Sequence, residues 1–372
     1  MTTSPDRIAL NDLKRIAPDQ LADIRGAISH VVDSGWFVMG PEHDAFEAEL
    51  AAYLGVRHVV ALGNGTDALE LALAALGVGA GDTVLTVANA GAYSTTAIRL
   101  LGGRPVYADV NADTLLLDGP TLQAALDRLG TAPAALVVTH LYGAVADMDA
   151  IMPIARRYGI PVLEDCAQSL GSELGGRRAG SLADIATTSF YPTKNLGAMG
   201  DGGAVMTSTD ELAVAVRRMR QYGWISKYRI GAEHGRNSRL DELQAAILRV
   251  RLPYLDADNE RRRAIHRHYE SVNAGMVNRA SPAFNAHLAV LRSAHRDAAR
   301  ERLDAAGVAT DVHYPVPDHR QAFPVVPPES VTLPVTERAA DLILSVPMFP
   351  GMRDDEVERV GDALSTIEPA DG

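Results

Sequence analysis

The sequence predicts an α/β fold, with a mostly parallel seven-stranded sheet in a large domain of residues 1–252 and a smaller α/β C-terminal domain of residues 253–372. Three observations carry this. From about residue 57, short β-rich apolar runs alternate with longer segments of helical period, the pattern of a parallel sheet covered on both faces. The chain has 372 residues, 47% of them hydrophobic, enough for two domains around a large core. The last hundred residues mix strand and helix signals and hold ten of the twenty prolines, which marks a change of architecture.

The elements follow in order. Strand-like runs lie at His58–Leu62, Thr83–Val87, Pro105–Val110, Ala135–His140, Ile160–Glu164, Ile185–Phe190 and Gly203–Thr207. Between the first five, the spacing predicts helices over Asp67–Leu76, Thr95–Leu101, Thr121–Leu129 and Met148–Tyr158; in the first of these Leu69, Leu73 and Leu76 share one face. Asp241–Arg251 reads as a helix that Pro253 ends or kinks. Arg261–Tyr269 reads as a charged helix, and the polar tail from Glu368 as a frayed end.

Composition excludes several classes. The net charge of −12 argues against nucleic acid or an anionic membrane as the main partner. No run approaches the roughly 18 apolar residues that span a bilayer, and the charged, non-apolar start at Met1–Lys14 is not a signal peptide. The single cysteine, Cys166, forbids an internal disulfide and a cysteine-based metal cluster; a reducing cytoplasm is expected, and no metal. Only Lys14, Lys194 and Lys227 are lysines, against 32 arginines. A retained lysine fits a role that arginine, always protonated, cannot fill.

Five segments carry candidate chemistry. Gly63-Asn64-Gly65-Thr66-Asp67 follows a strand and opens a helix, where backbone N–H groups suit a phosphate; a plain capped turn has the same pattern. Asp165, just past a strand, lies at the sheet edge where α/β folds bind ligands; it could equally cap the next turn. Glu164 beside it should face the other way. Cys166 reads as a small buried residue. In Ser189-Phe190-Tyr191-Pro192-Thr193-Lys194-Asn195-Leu196-Gly197, a lysine sits in a tight loop between strands. Burial there would lower its pKa and make it a nucleophile; a surface loop is the alternative. Tyr222–Tyr228 with Gly235–Gln244, and Asp311–Pro315, mix aromatic with polar groups as a sugar-nucleotide pocket would, or as structural loops do.

In order and spacing these segments closely resemble the DegT/DnrJ/EryC1/StrS family of sugar aminotransferases. The resemblance runs from Gly35-Trp36 to Leu344-Ser345-Val346-Pro347, and is most specific at Ser189–Gly203 and Asn237–Ala246. It implies the aspartate-aminotransferase type of pyridoxal 5′-phosphate (PLP) fold, fold type I, and a homodimer with active sites at the subunit interface. It implies that Lys194 is the Schiff-base lysine and Asp165 the carboxylate on the pyridine nitrogen. Gln168 would contact the ring hydroxyl side, and Gly65, Thr66 and Ser189 would form the phosphate cup. Asn237 would reach the phosphate from the other subunit, and Tyr93 would stack on the ring. Tyr191, Lys227, His313 and Tyr314 resemble positions that contact the diphosphate or sugar.

The chemistry implied is ping-pong transfer of an amino group, with L-glutamate as donor, to a nucleotide-linked keto sugar. Tyr222-Gly223-Trp224 ahead of Lys227-Tyr228 resembles the branch acting on dTDP-3-keto-deoxyhexoses, used for antibiotic or polysaccharide sugars. A C4 keto sugar or a keto-cyclitol acceptor stays open, as does a nucleotide-sugar binding or regulatory protein without catalysis, against which Lys194, Asp165, Gln168 and Asn237 together speak. Asn64 departs from the Ser common in the family, and Ser271–His287 is shorter than usual, which leaves a substrate loop there in question.

Overall fold

The structure is a computed structural model that describes residues 7–322 and 330–370. Its centre is a seven-stranded sheet of β1 (His58–Leu62), β2 (Thr83–Val87), β3 (Arg104–Ala108), β4 (Ala135–Thr139), β5 (Val162–Asp165), β8 (Ile185–Ser189) and β9 (Gly203–Thr207); β6 (Glu173–Leu174) and β7 (Arg177–Arg178) form a small hairpin beside it. The order is β1-β9-β8-β5-β4-β2-β3. Only β9 runs against its neighbours; the other pairings are parallel. The runs are short, apolar and almost wholly buried, as strands covered on both faces must be. One apolar layer lies on each face.

Helices α1 (Pro18–Ser34) and α2 (Pro41–Leu54) precede the sheet. The sequence reading assigned no element before residue 57. The signal was there: each helix opens on Pro18 or Pro41, and each closes on a glycine, Gly35 at φ 66° or Gly55 at φ 73°, the residue that takes the left-handed turn without strain. The crossovers are α3 (Gly65–Ala75), α4 (Tyr93–Leu100), α5 (Gly119–Leu129) and α6 (Met148–Tyr158), followed by α7 (Asp210–Met219). Helix α3 packs over β8 and β9 rather than over its own strand alone, which carries its first turn to the end of β8.

Beyond the hairpin β10 (Trp224–Ser226) and β11 (Arg229–Ile230), helix α8 (Glu242–Arg251) leads through a tight 3₁₀ turn at Leu252–Tyr254 into α9 (Leu255–Val272). Pro253 thus redirects the chain without ending helical structure. The remainder is the antiparallel pair β12 (Ala289–Arg292) and β13 (Ile343–Val346), with α10 (Arg296–Ala305), α11 (Pro334–Leu342) and α12 (Asp354–Ser365). One buried layer continues from the large sheet into this part: Val138 and Tyr142 belong to the same cluster as Val290 and Val360.

The tail corrects an expectation. Glu368 does not begin a frayed end: Pro369 bridges to Ser293, and the Ala370 N–H donates to the Arg292 carbonyl at 3.2 Å, so backbone pairing holds the chain as far as Ala370. Among the described residues no helix is long and apolar enough to cross a membrane.

Candidate active site

The carboxyl ends of β5 and β8 form the floor of a cleft of about 680 Å³, closed on the far side by residues 287–289 and 311–315. Asp165, the last residue of β5, is paired in register with Thr187 of β8. Its side chain is buried and accepts the Ala167 N–H at 3.1 Å. Burial pushes this carboxyl above the usual range, opposed by the Ala167 N–H and by Lys194.

Glu164 points to the opposite face, as strand alternation requires. Its carboxylate is fully buried and accepts N–H groups from Gly180 (3.0 Å), Leu182 (2.7 Å) and Ala183 (2.8 Å). His140 Nδ1 accepts the Ala146 N–H, so Nε2 carries the proton and donates to Glu164 at 3.0 Å. His140, Glu164 and Cys166 cluster closely enough to suggest a metal site, yet these bonds already engage both Glu164 oxygens. Burial, with Glu164 and Asp165 nearby, pushes the Cys166 thiol well up, so it is no nucleophile.

Lys194 projects into the cleft from the loop after β8. The loop is tied by Lys194 N–H to the Tyr191 carbonyl (2.8 Å) and Ala198 N–H to the Phe190 carbonyl (2.7 Å). Gly197 is needed here, since a Cβ would stand 2.6 Å from the Pro192 carbonyl oxygen. Asn195 donates to Asn259 at 2.7 Å and accepts from His287 Nδ1 at 2.8 Å. Burial lowers the Lys194 amine to about 8, with Asp165 opposing the fall. An amine so placed exchanges a proton near neutral pH.

At the cleft's other end, α3 begins at Gly65. A Cβ there would stand 2.7 Å from Ser189 Cβ, so glycine lets the first turn close on Ser189 and brings the Gly65 and Thr66 backbone to the Ser189 hydroxyl. The departure at Asn64 is resolved: its Oδ1 accepts the Asp67 N–H at 2.8 Å, making it the cap of α3. Tyr93 and Tyr314 stand edge to face, 6.0 Å between centroids. Gln168 donates to the Tyr314 hydroxyl at 3.1 Å and accepts the Tyr142 N–H at 2.6 Å. The Tyr142 hydroxyl donates to the His313 carbonyl, and His313 Nδ1 meets Ser345 Oγ at 2.9 Å.

Of the residues predicted from sequence, Gly65, Thr66, Tyr93, Asp165, Gln168, Ser189, Tyr191, Lys194, His313 and Tyr314 all line this one cleft. Lys227 and Asn237 do not. Both are exposed, Lys227 at the tip of the β10–β11 hairpin and Asn237 paired with Gln221. Sequence reasoning missed Leu10, Asn11, Thr187, Thr188, Asp201 and His287. Thr187 and Thr188 had a signal, since they end the strand beside Asp165. His287 had none: its short segment, left in question above, lies against the Lys194 loop. Burial and neighbouring cations hold its imidazole well below the usual range, so it is neutral.

A buried amine, a buried carboxylate on the floor, and a hydroxyl with a helix N-terminus at the far end match the aldehyde, ring nitrogen and phosphate of PLP. Fold and cleft together define a PLP-dependent aminotransferase. The chain belongs to the DegT/DnrJ/EryC1/StrS aminotransferase family, which matches residues 18–365. It is 41% identical to dTDP-3-amino-3,4,6-trideoxy-α-D-glucose transaminase of Streptomyces venezuelae, over 96% of this chain and 95% of that protein. It is 38% identical to UDP-2-acetamido-2-deoxy-3-oxo-D-glucuronate aminotransferase of Pseudomonas aeruginosa, over 92% of this chain and 95% of the other. The structure of NtdA from Bacillus subtilis, with bound cofactor PMP, superposes with a TM-score of 0.89 at 32% identity, covering 97% of this chain and 85% of that one.

Proposed function

We propose that this enzyme moves an amino group from L-glutamate to C3 of a dTDP-linked 3-keto-deoxyhexose, in the making of an antibiotic or polysaccharide amino sugar. The observation that carries the position is a shared feature of the two relatives. Their names differ in nucleotide and in sugar, yet each carries position 3.

In this reading the Gly65 and Thr66 backbone and the Ser189 hydroxyl hold the cofactor phosphate, and Asp165 accepts a hydrogen bond from the ring nitrogen. Bound there, the protonated ring draws electrons from the carbon that loses a proton. Lys194 would hold the cofactor aldehyde, and its free Nζ would take a proton from the carbon that bears nitrogen and return it in the opposite half-reaction. Its pKa of about 8 suits both directions. Tyr93 would cover the ring, Gln168 would meet its hydroxyl side, and Tyr191, His313 and Tyr314 would contact the sugar nucleotide.

Lys227 and Asn237 enter through a second copy of the chain. The exposed side chains near them include Tyr222, Ile225, Tyr228 and Ile230, the last two 78% and 70% exposed. Apolar surface of this kind favours a homodimer, in which Asn237 and Lys227 serve the partner's cleft. The domain division at residues 252 and 253, and a cytoplasmic location consistent with a lone buried cysteine, belong to the same proposal.

Titrating the purified holoenzyme with L-glutamate should bleach the visible band of the bound cofactor. A dTDP-3-keto sugar should then restore it. Restoration only by a 4-keto sugar or an inosose would keep the class and replace the acceptor. No band after added PLP would overturn the reading.

A further inference from the structure

Behind the Lys194 loop lies a second cavity of about 430 Å³, bounded by the N-terminal segment around Asn11–Ala17, the start of α9 and residues 349–351. Asn11, Thr193 and Lys194 line both this cavity and the cleft, so the two spaces meet at the reactive amine.

Three guanidinium groups line it, those of Arg15, Arg251 and Arg262. Arg262 is 5% exposed, and its Nη1 donates only to the carbonyls of His287 (3.5 Å) and Met348 (3.0 Å). Its Nε has no partner. Arg251, half-buried, donates to the Gly197 carbonyl. Among the described residues neither forms an ion pair, whereas Arg15 at the cavity's edge is engaged by Glu356 and Asp12. Asp258, half-buried in the same wall, is near enough to oppose both charges in part. One buried and one half-buried cation facing the single carboxylate of Asp258 leave a positive charge uncompensated, which is costly unless an anion arrives.

Resting on the aminotransferase reading above, we propose that Arg251 and Arg262 form the seat for the side-chain carboxylate of the L-glutamate donor. Guanidinium groups match a planar carboxylate, and their donors are already fixed by the backbone carbonyls they hold. The sugar acceptor, entering the main cleft, has no need of this seat. The two half-reactions thus use separate recognition elements around one amine.

The test uses the holoenzyme and its Arg251→Met variant, which keeps the apolar stem; Arg251→Gln serves if methionine impairs folding. Calorimetry with glutarate, which has two carboxylates and no amine, should show binding at least about 10-fold tighter than butyrate, and the variant should lose that preference. In the spectral half-reaction, the concentration of L-glutamate for half-conversion should rise by about 10- to 100-fold. The half-reaction run from the aminated sugar should stay within about 3-fold. Unchanged glutarate binding in a folded variant, or equal damage to both half-reactions, would overturn the proposal. If no amino acid bleached the wild-type band, the aminotransferase reading itself would fail. Conversion by glutamate with an indifferent variant would remove only the seat.

Discussion

Asp318 offers a quantitative test of how the cleft wall is held. It is 1% exposed. One oxygen accepts the Ala92 N–H at 2.9 Å and the other the Thr95 hydroxyl at 2.6 Å, so it pins the start of α4, and hence Tyr93, to the segment that carries Tyr314. Burial raises its pKa from 3.8 to about 7, against the Thr95 and Ala92 bonds. An acid whose folded value lies above its unfolded value keeps its proton longer in the native state. Stability is then greatest below 3.8 and falls, by about 1.36 kcal/mol per pH unit, until the native group ionises near 7. The full loss is about 4 kcal/mol, and about 2 kcal/mol of it falls between pH 5.5 and 8.

Asp318→Asn removes the ionisation and keeps the bonds. Its Oδ1 can accept the Ala92 N–H and its Nδ2 can donate to Thr95 Oγ1, whose proton then serves the Tyr107 hydroxyl 3.2 Å away. The variant should therefore be more stable than wild type at pH 8, with an advantage about 2 kcal/mol larger than at pH 5.5. Urea unfolding of both holoproteins at the two pH values measures this. The wild-type comparison cancels the nearby His319–Glu337 and Arg320–Glu337 pairs. An advantage that did not grow with pH, or a variant weaker at both, would refute the argument.

Two further substitutions separate site from scaffold. Gly65→Ala forces a Cβ to within 2.7 Å of Ser189 Cβ; PLP affinity in equilibrium dialysis should weaken by at least about 10-fold, with stability lowered by about 1–3 kcal/mol, and unchanged affinity would remove this close approach from the phosphate cup. Glu164→Ala strands the buried N–H groups of Gly180 and Leu182, the half-buried one of Ala183, and His140; urea unfolding should show a loss of about 3–5 kcal/mol, and a loss below about 1 kcal/mol would mean the bonds are replaced by water.

Much of the site was legible because its parts are local. The glycine that admits Ser189, the carboxylate that ends a strand and the lysine between Pro192 and Gly197 are each marked by a few neighbours in the chain. The cap at Asn64 was legible as a variant but not as a function, since only its Asp67 contact at 2.8 Å shows that it holds the helix. The helices before residue 57 were missed although Pro18, Gly35, Pro41 and Gly55 mark their ends. The pairing of Pro369 with Ser293 could not be read at all, because it joins distant segments.

By itself the sequence determined the alternation that makes a parallel sheet, the opposite faces of Glu164 and Asp165, and which side chains have chemistry to offer. The tertiary structure decided which of them meet. It joined Gln168 to Tyr142 and Tyr314, set His287 against the Lys194 loop, and left Lys227 and Asn237 outside the chain's own cleft. It also withdrew Lys194, Arg251 and Arg262 from water. The division has a physical cause. Backbone preference and side-chain period act over a few residues, whereas desolvation and contact sum over every segment packed around a group, and no stretch of sequence carries that sum.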